Sequence, residues 1–217
     1  MDLSFLIEGA IIYLCFLPIL TVHEFGHAWM AWKFGDDTAR LQGRISLNPL
    51  VHIDLVGTVI LPALMILMNA TNFGHGVVLF GWGKPVPVNI YKLHPRALGD
   101  ILVSVAGPIM NFLLAFVLVG LAKLALVFGW TSVTSALVQL SVMSVFLGVF
   151  NLLPVPPLDG SHVLKNIIGL SDETYLRLSS FGFLFILILV NTRLVMGLLS
   201  SVTMITLSMM FYVFGLK

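Results

Sequence analysis

The chain has 217 residues, of which 59% are hydrophobic and only 10% charged, a composition that excludes a soluble globular domain and fits a protein housed in a bilayer. Its formal net charge of +1 comes without a basic cluster, which excludes nucleic acid as a partner. The one cysteine, Cys15, excludes an intrachain disulfide and a cysteine-based zinc site, so any metal must be held by His, Asp or Glu.

Apolar runs mark the elements in chain order. A first helix is expected over about 4–34. It lacks a basic leading region and a small-residue cleavage site and carries Asp2 and Glu8, so it reads as a retained helix. Pro18 is placed to kink it. The polar, turn-rich stretch 38–54 belongs at the surface or folded back over a site. Residues 55–70 are apolar but short and contain Gly57 and Pro62, which suits a thin second span or a re-entrant segment. Over about 76–89, glycines and prolines alternate with β-branched and aromatic residues, the pattern of a strand or β-hairpin. Its edge would accept an unwound substrate as an added strand. Further helices are expected over about 99–127, 131–153, 176–192 and 194–214. The expected fold is an all-α polytopic membrane protein, a single domain over 1–217. It has five or six transmembrane helices, with a short β-hairpin or re-entrant segment between the first and third apolar helices.

Within the first helix lies His23-Glu24-Phe25-Gly26-His27. Residues four apart on a helix stand about 40° from each other around the axis, so His23 and His27 can offer two nitrogens to one ion. Glu24 then sits beside the ion, where it can take a proton from water. A third ligand is needed, with a fourth position left open. Asp159 supplies it. It follows some two dozen apolar residues and a run with Pro154, Pro156 and Pro157 that breaks the helix, and Gly160 after it permits close approach.

Magnitudes favour a metal over a polar accident. Each ionisable residue at mid-membrane costs about 2.5–3.5 kcal/mol on insertion scales, whereas a structural zinc site gains about 10–16 kcal/mol of apparent binding free energy. A capping role for Asp159 is the alternative at that position. His52 and Asp54 form an H-x-D pair that reads as interfacial loop residues, with a second metal site or gate as the other reading. His75, His94 and His162 read as solvated or interfacial.

HEFGH near one end, Ala106-Gly107-Pro108-Ile109-Met110-Asn111 in the middle and Asn151-Leu152-Leu153-Pro154-Val155-Pro156-Pro157-Leu158-Asp159-Gly160 downstream together resemble the site-2 protease family, intramembrane zinc metallopeptidases of peptidase family M50. The runs 44–57 and 81–88 are similar to its short prokaryotic members, which lack PDZ and cystathionine-β-synthase domains. The resemblance implies one Zn²⁺ per chain on His23, His27 and Asp159, with Glu24 as catalytic base and Asn111 and Asn151 lining the site. It implies transmembrane-helix proteins or peptides as substrates, cleaved in regulated intramembrane proteolysis or in removal of signal-peptide remnants. The protein is expected to be multi-pass in the cell membrane, its active site nearer the cytosolic face. Two other classes use the same residues: a transporter or metal permease with His and Asp as a transit site, and a silent scaffold that keeps zinc for folding.

Overall fold

The computed structural model describes residues 3–69 and 81–216. Every regular element in it is helical: α1 (Leu3–Lys33), α2 (Thr38–Leu41), α3 (Leu61–Asn69), α4 (Arg96–Val127), α5 (Thr131–Asn151), α6 (Asp159–Ile168), α7 (Asp172–Ser179), α8 (Gly182–Asn191) and α9 (Arg193–Phe214). A 3₁₀ turn (Pro49–His52) and a π-helical turn (Leu55–Ile60) lead into α3.

Four helices among the described residues are long and apolar enough to cross a bilayer: Gly9–Lys33 of α1, α4, α5 and α9. The expected count of five or six spans is not met. Leu55–Met68 is too short to bridge the roughly 30 Å hydrocarbon layer at about 1.5 Å per residue. Where one helix was expected over 176–192, the chain forms a polar α7 and an apolar α8 bent by 61°. A fifth span exists only if that bent pair counts as one.

The β-hairpin is also corrected. Residues 76–80 lie outside the described residues, and 81–89 pair with no strand among the described residues. Their hydrogen bonds go to separate parts of the fold, the Asn89 N–H donating to Asp36 at its far end. The Trp82 N–H donates to the Gly57 carbonyl and that of Lys84 to the His52 carbonyl, while the Val86 N–H donates to the Glu24 side chain. Pro85 and Pro87 have no N–H to donate on the opposite edge, so a ladder of reciprocal bonds cannot form there and only carbonyl acceptors remain.

Helix α4 is the central post, packed along α1, α5, α6 and part of α9. Small residues make these approaches possible. A Cβ on Gly26 of α1 would fall 2.8 Å from the Ala106 carbonyl oxygen, and one on Gly148 of α5 would fall 3.2 Å from that of Pro108. Close backbone packing of this kind holds helices together in lipid, where burial of apolar surface gives no net drive. Towards the C-terminal end of α4 the interior is mainly apolar, filled by Ala115, Val119, Val145, Val149, Leu199 and Leu207. Towards its N-terminal end the interior turns polar, and that end holds the candidate site.

Candidate active site

Three buried polar side chains of α1, His23, Glu24 and His27, face α4 and α6. The proline-broken turn after α5 delivers Asp159 as the first residue of α6. Gly160 is required there, since a Cβ would lie 2.1 Å from the Leu152 carbonyl oxygen. Asp159 Oδ2 lies 3.2 Å from His23 Nε2 and 3.4 Å from His27 Nε2, and the two Nε2 atoms are 3.0 Å apart. Each residue thus offers one ligand atom, all within 4.8 Å of one another.

The proton inventory of this group fits a cation. His27 Nδ1 donates to the Val103 carbonyl at 2.7 Å, which leaves Nε2 of the neutral ring as a bare lone pair. His23 Nδ1 is 3.1 Å from the Asn111 amide nitrogen, while Asn111 Oδ1 is buried without a partner. Amide oxygen and nitrogen exchange places by a half-turn. Turned, Asn111 Oδ1 accepts a hydrogen bond from the His23 Nδ1–H, and the second Nε2 is also freed as a lone pair. Two imidazole nitrogens and a carboxylate oxygen then converge without a proton between them, which is the donor set zinc takes. Gly107 leaves the necessary room: a Cβ there would lie 2.3 Å from His27 Nε2 and 2.7 Å from His23 Cε1.

The group opens into a cavity of about 370 Å³ that is also lined by Glu24, Asn151, Val86, Asp100 and His162. Glu24 Oε2 accepts from the Val86 N–H at 3.2 Å. Asn151 faces the cavity with its amide nitrogen committed to the Leu147 carbonyl. Asn111 is fully buried against His23 and is not among the residues that line the cavity.

His52 and Asp54 are brought together with other partners. His52 is buried, its Nε2 2.9 Å from the Ser46 carbonyl and its Nδ1 3.4 Å from Arg44. Burial pushes its pKa down and keeps it neutral. Arg44 donates to the Lys84 carbonyl, so the loop braces the extended segment that contacts Glu24. Asp54 accepts from the Val56 and Gly57 N–H groups and caps the π-helical turn. His75 lies outside the described residues. His162, read from the sequence as solvated, lines the cavity 3.2 Å from Asp100. Asp100, an unremarked carboxylate near the start of an apolar helix, was missed. Its one sequence signal is that it stands among apolar residues with no charged residue beside it until Arg96.

The family model for peptidase family M50 matches residues 11–131 and 125–190. YwhC of Bacillus subtilis (strain 168), provisionally named a zinc metalloprotease, is 36% identical over 185 residues, covering 80% of this chain and 77% of YwhC. Rip2 of Mycolicibacterium smegmatis, provisionally named likewise, is 33% identical over 179 residues, 81% of this chain and 64% of Rip2. Rip2 of Mycobacterium tuberculosis (strain H37Rv) is 33% identical over 184 residues, 80% of this chain and 63% of its own. The chain therefore spans most of YwhC and a little under two thirds of either Rip2. No solved structure matches.

Proposed function

The chain belongs to peptidase family M50, and from that premise we propose that His23, His27 and Asp159 hold its zinc while Glu24 handles the proton of peptide hydrolysis. It is an intramembrane zinc metalloprotease. The convergence of three ligand atoms from α1 and α6 beside a buried carboxylate is the observation that carries the residue assignment.

Zinc bound there supplies a Lewis acid that acidifies water and polarises a carbonyl. Glu24, held by the Val86 N–H, accepts the proton and returns it to the leaving amine. Asn111 and the Val103 carbonyl fix the two imidazoles in the tautomer that keeps each Nε2 free. The extended segment at 81–89 has its N–H groups at 82, 84 and 86 engaged inward. With prolines at 85 and 87 its other edge is rich in acceptors, which suits the N–H groups released when a substrate helix unwinds.

The depth of the site supports transmembrane segments as substrates. His27 lies six residues, about 9 Å, below the end of α1 at Lys33, and Gly107 lies about 16 Å below the start of α4. The polar end above it gathers Lys33, Arg40, Arg44, Lys84, Lys92, Arg96 and Lys165, whereas Lys123 caps the far end at the Gly215 carbonyl. That asymmetry supports a site nearer the cytosol.

A permease would need a path past the ligands to the far face. Beyond Asn111 the interior is filled by Ala115, Val119, Val145 and Val149, which favours hydrolysis over transit. The test is Glu24→Gln in the purified chain, with zinc content and cleavage of a model transmembrane peptide measured together. The expected result is zinc retained and cleavage lost, and retained cleavage removes Glu24 from the mechanism.

A further inference from the structure

Asp100, 4% exposed, sits on the second turn of α4 and lies outside the ligand set. Three side chains from one face of α6 converge on it: His162 Nδ1 is 3.2 Å from Oδ1, and Lys165 Nζ and Asn166 Nδ2 are 3.3 and 2.7 Å from Oδ2. Three residues along α4, the Val103 carbonyl holds His27. A single stretch of α4 thus touches both halves of the metal group, the histidine side through a carbonyl and the aspartate side through α6.

Helix α6 has only ten residues, a broken, proline-rich turn before it and Gly169 in the left-handed region after it (φ +69°). Its remaining side-chain ties, Ser161 to Tyr175 and Lys165 to Asp172, run to α7 and not to α1, which carries both histidines. Around the α6 axis, Asn166 stands about 20° from Asp159 and His162 about 60° from it. Side chains reach about 5–6 Å from a helix axis, so a rotation of about 20° shifts the Asp159 carboxylate by about 2 Å. Metal–ligand distances tolerate about 0.2 Å.

We propose that Asp100 is a positioning residue for the metal centre: by holding His162, Lys165 and Asn166 it sets the rotation of α6, and with it the reach of Asp159 to His23 and His27. This rests on the assignment of those three residues as zinc ligands. Asp100 acts through Asp159 and does not itself touch the ion.

The experiment is zinc affinity, by competition with a chromophoric chelator, of the whole chain in detergent as wild type, Asp100→Ala, Asp159→Ala and the double variant, with Lys92→Ala as control. Asp100→Ala is expected to weaken zinc about 10–100-fold, the range of second-shell substitutions. In the Asp159→Ala background the same change is expected to have less than about a threefold effect, because residues acting as a unit are not additive. Wild-type affinity in Asp100→Ala, or an equal loss with and without Asp159, overturns the proposal. Wild-type affinity in Asp159→Ala overturns the ligand assignment beneath it. Should Asp100→Ala not fold, Asn166→Ala removes the bonds to Asp100 and to the His162 carbonyl and keeps the buried charges paired. Several-fold weaker zinc, again absent without Asp159, supports the proposal, and unchanged affinity overturns it.

Discussion

Two buried polar clusters share one end of this bundle and differ in how their charges are met. Around Asp100, every acidic group faces a donor: Lys165 lies between Asp100 and Asp172, Arg96 pairs with Asp172, and Asn166 donates to Asp100. Around Asp159, a carboxylate and two imidazole lone pairs face each other and nothing on the chain lies between them. The first cluster carries its own counter-charges, and the second, on the ligand assignment proposed above, would be completed by a cation. A concentration of ionisable residues in a membrane protein therefore does not by itself mark a metal site; the unmatched lone pairs do.

Substitutions sharpen that contrast. The largest effect is expected of Asp159→Ala, which leaves two imidazoles for the ion: zinc affinity should fall by roughly 1000-fold or more, to a weak binding that chelator competition still reads, and peptide cleavage become undetectable. Gly107→Ala should come next, because a methyl group there displaces His27 Nε2. Loss of at least about 100-fold in zinc affinity is expected, at or beyond the second-shell range, measured by chelator competition. In the compensated cluster the expected loss is of stability. Lys165→Met strips the cation from two carboxylates, and unmatching a buried charge costs on the order of 3 kcal/mol, read as a lower midpoint in denaturant. A wild-type midpoint for Lys165→Met would break the contrast, since Asp100 would then need no compensation. The smallest effect is expected of Lys92→Ala at the exposed Asp37 pair. Exposed pairs are screened by solvent, so zinc content, midpoint and cleavage should all stay at wild-type values.

The histidine spacing and the isolated Asp159 were legible because both are local: one rests on the pitch of a helix, the other on a carboxylate stranded after prolines in an apolar run. The helical class was legible from apolar run length. What escaped depends on partners far along the chain. Residues 81–89 have strand composition, yet their hydrogen bonds go to Gly57, His52 and Glu24 on separate elements, which no local pattern encodes. The break between α7 and α8 escaped because apolar content smoothed over Gly182, where a Cβ would meet Pro157 at 2.5 Å. Asp100 acquires meaning only once α6 lies against α4. Asn111 was legible as a site residue, but its place behind His23 and away from the cavity emerges only from the packing.

The separation of the ligands along the chain sets an order of events during biosynthesis. His23 and His27 enter the bilayer with the first helix, whereas Asp159 follows only after α4 and α5 have been threaded and α6 has docked. With the ligands proposed above, a nascent chain that stops short of α6 carries two of the three zinc-binding groups, so hydrolytic competence would arise last, as a property of the finished bundle.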